Sequence, residues 1–294
     1  MYDIIKYNFL SEVYMDNIHF SAATIVGALL EGCLAVLLPV VLIVVWKLKT
    51  KAKLVPFWVG CAIFPLFALV LEAIAATVIT LIDRKTLHLL EKPLPLYLFS
   101  AAMAGIFEET GRFFGMKVFM RKYKDRRDGV TYGIGHGGIE SVLLIGGSAA
   151  LTVFVAILTN SGMLNTMMSA YDESLKTMLL ENLGTMTSNG FSVYMLGFFE
   201  RISAIILHVS LSVLVFSAAR QKGRLWLYPL AIFLHFAADC TVILPRVLET
   251  PLWLFEILFF AVSVALALPV FRYYRSLPQV LGEERSAVTE NTQI

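Results

Sequence analysis

Residues 22–53 read AATIVGALLEGCLAVLLPVVLIVVWKLKTKAK, an apolar run interrupted in its first half by Glu31 and closed by four lysines, Lys47, Lys49, Lys51 and Lys53. About 20 apolar residues in sequence is what an α-helix needs to cross the ~30 Å hydrocarbon core of a bilayer. Lysines gathered at one end mark the side that stays in the cytoplasm. Six further runs repeat the pattern, at about 55 to 82, 95 to 116, 129 to 159, 191 to 219, 225 to 245 and 252 to 272. The 294 residues are 58% hydrophobic and 16% charged, against roughly 25% charged in soluble domains, and the mean hydropathy is +0.74. The expected fold is all-α: a polytopic membrane helix bundle of about seven transmembrane helices in the cell membrane, with the lipid bilayer as its surroundings.

The loops give that bundle an orientation. Sixteen basic residues fall in one set of alternating loops and the C-terminal segment, six fall in the other set, and Arg112 and Arg201 lie within runs. This alternation places the N-terminus outside and the C-terminus in the cytoplasm. Residues 1–21 lack the basic start and cleavage site of a signal peptide and are expected as a retained extracytoplasmic segment. Residues 22–272 are the bundle. Its outer loop 160–190 repeats Leu164, Met167, Met168, Tyr171, Leu175, Met178 and Leu179 at helical spacing, which predicts an amphipathic surface helix. The composition of 273–294 predicts a disordered cytoplasmic tail. A net charge of +2 gives no reason to expect nucleic acid, and Cys33, Cys61 and Cys240 form no CxxC pair.

Ionisable side chains inside such runs are costly and mark functional sites by default. With a ~1.5 Å rise per residue, Glu109 lies ~12 Å from the cytoplasmic end of the third run, with Glu108 slightly deeper. By the same measure His136 lies at ~10 Å and Glu140 at ~16 Å on the fourth, His208 at ~13 Å on the fifth and His235 at ~15 Å on the sixth, with Asp239 one turn deeper. Four helices thus bring His or Glu to one layer, which predicts a polar chamber opening toward the cytoplasm. Glu108 and Arg112, His136 and Glu140, and His235 and Asp239 are i,i+4 pairs, each on one helix face. Arg112 can hold one glutamate ionised while the other serves as a base for water, and periodicity does not say which. HGGIE, with seven glycines between Gly129 and Gly147, allows helices or an extended substrate to approach closely. Glu31, Glu72 and Glu256 lie on runs outside this group and read as packing or interface residues. Each motif alone also has a plainer account, as a buried ion pair or a hydrogen-bonded histidine that fixes packing.

At EETGR (108–112), YGIGH (132–136) and HFAAD (235–239) the sequence resembles the glutamic-type intramembrane endopeptidase superfamily of CAAX prenyl endopeptidases, bacteriocin-processing relatives and PrsW proteins, and within it the YhfC family of intramembrane peptidases. The pattern there is EExxxR, FxxxH and HxxxN or HxxxD in that order, covering about residues 95 to 245. Arg112 comes one residue early, Tyr132 stands for phenylalanine, and Glu140 and His208 are additional. The resemblance implies peptide-bond hydrolysis of a membrane-associated peptide or protein by a glutamate-activated water. It makes Glu108, Glu109, His136 and His235 the catalytic candidates, with Arg112, Glu140, His208 and Asp239 in support.

A metal-dependent variant stays open. His136, His208, His235 and Glu140 could bind zinc, although no HExxH is present. Two other function classes also remain: a non-enzymatic membrane scaffold, which would tolerate Glu to Gln at 108 and 109, and an ion- or proton-coupled transporter, for which no paired repeat of broken helices is visible.

Overall fold

The computed structural model describes residues 18–168, 171–248 and 250–282; most of the segment 1–21 and the last residues of the predicted tail lie outside them. The described elements are α1 (Ala22–Thr50), α2 (Val55–Ile82), α3 (Arg84–Leu90), α4 (Pro93–Val118), α5 (Arg126–Asn160), α6 (Met163–Met168), α7 (Glu173–Ser188), α8 (Phe191–Arg220), α9 (Leu227–Leu248) and α10 (Leu252–Ser276). Among the described residues there is no strand, only an isolated antiparallel bridge between Asp125 and Val280.

Every one of the seven apolar runs is a helix. Five of them, α1, α2, α5, α8 and α10, are long and apolar enough to cross a membrane on that ground alone. α4 has the length, 26 residues, but Glu108, Glu109, Arg112 and Lys117 dilute its apolar signal. α9 carries a shorter apolar stretch, Leu227–Thr241. The protein is a multi-pass membrane protein.

The chain packs as two units, Met1–Leu37 with Ser141–Arg201, and Leu38–Glu140 with Ile202–Ile294. The second holds all eight candidate site residues. Its most buried span is α8, whose residues from Ile202 on lie in this unit: 83% of its most apolar window is buried, against 11% to 28% in the other four spans. A helix with apolar residues spread around its circumference belongs in an interior, and polar side chains, His208 and Ser212 among them, are buried with it. The first half of α2 crosses the first half of α5 at Gly60 and Gly135. A Cβ on Gly60 would strike the Tyr132 carbonyl, and one on Gly135 would strike the Phe57 carbonyl. Only glycine lets the two backbones approach this closely, so the glycine-rich stretch of α5 is spent on helix crossing beside His136. Ile63, Met116, Met120, Tyr132, Leu207, Leu211 and Phe216 fill the core around it.

Two spans contain π-helical turns, Pro65–Leu71 in α2 and Ser141–Gly146 in α5. Each widens the helix and shifts the facing of the residues after it relative to a regular 3.6-residue period. The turn in α5 begins directly after Glu140.

Arginines fasten the helix ends of this unit. Arg220 donates to the carbonyls of Met116, Met120 and Tyr123 at 2.6–2.9 Å, neutralising the C-terminal end of α4. Arg126 does the same for α10 through the Leu277 carbonyl at 2.9 Å. Residues beyond α10 are held by Arg126 N to Gln279 O at 2.9 Å and Leu281 N to Lys124 O at 2.8 Å, and Leu281 is fully buried. The predicted tail therefore includes the end of α10 and a docked segment. Partial burial pushes the Asp125 carboxyl up, but hydrogen bonds from Arg127 and Gln279 outweigh this and hold it below the usual carboxylate range.

In the other unit, the single amphipathic helix expected over 160–190 is two helices, α6 and α7. Asp172 caps α7 by accepting from the Leu175 amide at 3.0 Å and the Ser174 hydroxyl at 2.8 Å, and these bonds hold its carboxyl below the usual range. The break resets the phase: Met168, Leu180 and Leu183 are buried with Phe20 and Ala156, while Met167, Tyr171 and Met178 are exposed. Glu31 lies against Gly197 and pairs electrostatically with Arg201, which itself bonds Glu200.

Candidate active site

Glu108, Glu109 and Arg112 project from one turn of α4, and α5, α8 and α9 present His136, His208 and His235 to them. Glu108, Glu109, Arg112, His136, Glu140, His208 and His235 are all buried, and only Asp239 is part exposed. The four-helix layer expected from the helical rise is thus a set of direct contacts.

Three imidazoles converge on one carboxylate oxygen. His136 Nε2 is 3.0 Å from Glu108 Oε2, and His208 Nδ1 and His235 Nε2 are each 3.9 Å from the same atom. Their ring centroids lie 5.0 Å apart for His136 and His208 and 5.3 Å apart for His208 and His235.

Each partner fixes a proton. A guanidinium only donates, so His208 Nδ1, 3.0 Å from Arg112 Nη2, accepts. Its Nε2 then carries the proton and gives it to Glu140 Oε2 at 2.5 Å. His235 Nδ1 donates to Glu109 Oε1 at 2.8 Å, and its Nε2 faces Glu108 Oε2 at 3.9 Å and Asp239 Oδ2 at 3.6 Å. A carboxylate behind an imidazole, fixing its tautomer, is the arrangement used both by general bases and by metal-bound histidines.

Arg112 organises the back of the site. Its Nε lies 3.3 Å from Glu109 Oε2, and Nη1 donates to the His208 carbonyl at 2.8 Å and to Ser212 Oγ at 3.0 Å. The arginine therefore pairs with Glu109 at i,i+3, not with Glu108 at i,i+4. The pair on α5 differs as well: Glu140 bonds His208 across helices, and His136 bonds Glu108. Ser212 was not a candidate from sequence, although it lies four residues after His208 and so on the same face. Glu72, placed outside the group by sequence, is close enough to Asp239 and His235 to interact with their charges.

The donor set also suits a divalent metal. Glu108, His136 and His208 offer ligand atoms within 4.8 Å of one another. Four carboxylates, Glu108, Glu109, Glu140 and Asp239, face a single arginine in the cluster, and a cation would offset that excess.

The model of the YhfC intramembrane metalloprotease family matches residues 34–259. The chain belongs to this family. The matched range contains all eight site residues. An uncharacterized membrane protein, YhfC of Bacillus subtilis (strain 168), is 35% identical over 215 residues, covering 73% of this chain and 82% of that protein. No solved structure matches the chain.

Proposed function

We propose that the protein hydrolyses a peptide bond of a membrane-associated peptide or protein, with Glu108 as the reacting carboxylate. The observation that carries this is the convergence of three imidazoles on Glu108 Oε2 inside a buried cluster. Glu109 has its oxygens turned to His235 and Arg112, so its work is positioning. Glu108 Oε2 takes a proton from the attacking water, whose oxygen bonds the scissile carbonyl carbon. His136, carrying its proton on the nitrogen that faces Glu108, offers a donor to the oxyanion. As the C–N bond breaks, the proton passes from Glu108 to the leaving nitrogen. The buried surroundings exclude bulk water from these groups.

The family's description and the donor set favour a metal-dependent version. Glu108, His136 and His208 would hold the ion, and His208 would exchange one of its present bonds for it. Such an ion supplies carbonyl polarisation and a more acidic bound water. With Glu108 engaged as a ligand, His235 with Glu109 behind it is the acid–base pair that faces the same point. Metal analysis of protein purified without chelators is expected to find about one equivalent of zinc, lost on His136→Ala, because three protein ligands with an open fourth position make one catalytic site. Retention of the zinc by that variant would contradict the assignment of its ligands.

Hydrolysis itself is tested by incubating the reconstituted protein with extracted membrane proteins in ¹⁸O-water. One ¹⁸O atom in each newly formed C-terminal carboxylate is the expected result. Absence of new termini counts against a peptidase and toward a scaffold or transporter.

A further inference from the structure

A cavity of about 160 Å³ lies within the second unit, apart from the polar cluster. Val130 of α5, Val209 and Val213 of α8, and Ala267 and Val270 of α10 form its walls. Two polar side chains that line it spend their hydrogen bonds elsewhere: the Ser210 hydroxyl donates to the Ile206 carbonyl at 2.7 Å, and Trp46 Nε1 donates to Thr131 Oγ1 at 3.0 Å. The lining is therefore apolar. An apolar cavity of ~150 Å³ stays dry and takes a benzene-sized guest. Left unfilled, it forfeits the dispersion contacts of the atoms that face it.

The cavity sits at the end of the bundle that carries the basic loops. Trp46 directly precedes the last turn of α1 with Lys47 and Lys49, and Phe271 and Tyr274 belong to the last turns of α10. The Arg126 guanidinium lies 5.1 Å from the centroid of the Tyr274 ring, and that of Arg275 lies 5.5 Å from the centroid of Phe271; both rings line the cavity. Phe271 is 56% exposed and Arg275 is exposed, so this side reaches the protein surface. The two carboxylates in the described parts of the basic loops are engaged elsewhere, Asp125 with Arg127 and Gln279, and Asp128 with the Asp125 amide. The arginines beside the cavity are thus left for an anion from outside the protein.

Size and surroundings select the guest. An α-helix with its side chains is ~10 Å across, too wide for this volume, whereas a single hydrocarbon chain enters it. Basic clefts between membrane helices on the cytoplasmic side, where the basic loops are expected, bind anionic lipid headgroups.

We propose that the cavity is a binding site for an anionic phospholipid, with one acyl chain among α1, α5, α8 and α10 and the phosphate at Arg275 and Arg126. The site does not depend on the peptidase reading.

The test titrates the full chain in detergent with phosphatidylglycerol or phosphatidylcholine of identical acyl chains and counts retained lipids by native mass spectrometry. Wild type is expected to retain one phosphatidylglycerol and to bind it more tightly than phosphatidylcholine. Arg275→Gln lowers phosphatidylglycerol affinity about fivefold, the effect of one basic residue at an anionic surface, and leaves phosphatidylcholine unchanged. Because Arg275 is exposed, this variant reads the headgroup contact without disturbing the packing. Ala267→Phe puts a ring into the cavity and removes the retained lipid. Equal affinity of wild type for the two lipids, or an unchanged phosphatidylglycerol affinity in either variant, overturns the proposal. So does a protein dimer that Ala267→Phe abolishes, which would make the cavity a contact between copies of the chain.

Discussion

Glu108→Gln lowers cleavage by about 10³-fold, the middle of the range contributed by a general acid–base group, while the protein stays folded. Glutamine keeps the length of the side chain and an oxygen for His136. It cannot take a proton from water and is a poor metal ligand, so the loss is expected whether the reaction is glutamic or metal-dependent. Glu109→Gln behaves differently. Its carboxylate holds Arg112 and the His235 Nδ1 proton, so neutralising it weakens the support of both and lowers thermal stability as well as activity. Comparing product-release rates and thermal midpoints for the two variants separates the reacting glutamate from the positioning one. Equal rates for Glu108→Gln and wild type would remove Glu108 from the mechanism.

Arg112→Met is the most destabilising single change expected, by about 3–5 kcal/mol, the cost of breaking a buried charge pair by removing one partner. Arg112 is fully buried and its fork reaches α8 through the His208 carbonyl, His208 Nδ1 and Ser212 Oγ while its Nε faces Glu109. Methionine fills similar volume but leaves Glu109 uncompensated and His208 Nδ1 without its donor. Arg112→Lys does not restore the site, because a single ammonium cannot reproduce the planar fork. Denaturant or thermal unfolding in a defined detergent measures the loss. A change below about 1 kcal/mol, the scale of an exposed pair, would contradict the role given to the arginine.

The sequence made the helices and the polar layer legible, because apolar length and helical rise are properties of each helix alone. Glu108, His136, His208 and His235 could be placed at one depth in this way. Their pairing could not. Residues at i,i+3 and i,i+4 share a helix face, so spacing allowed Arg112 either glutamate, and the structure gives it Glu109. Likewise, His136 and Glu140 share a face of α5, but which neighbour each meets depends on helix rotation. The glycine crossing at Gly60 and Gly135 sets that rotation, and the structure joins His136 to Glu108 and Glu140 to His208. The π-helical turns in α2 and α5 add residues that a regular period does not anticipate. In the 160–190 segment the period itself misled, since the break before Asp172 let Met168 and Leu180 turn inward while Met167 and Met178 turned out. Glu72 looked isolated because its neighbours at the site, Asp239 and His235, belong to a helix distant in sequence.

The most direct test compares membrane-proteome N-termini in cells carrying wild-type protein or Glu108→Gln at matched expression. N-termini that appear with wild type and vanish with Glu108→Gln are the result this account predicts, and they would name the substrate. The same N-termini in both strains would contradict Glu108 as the reacting carboxylate.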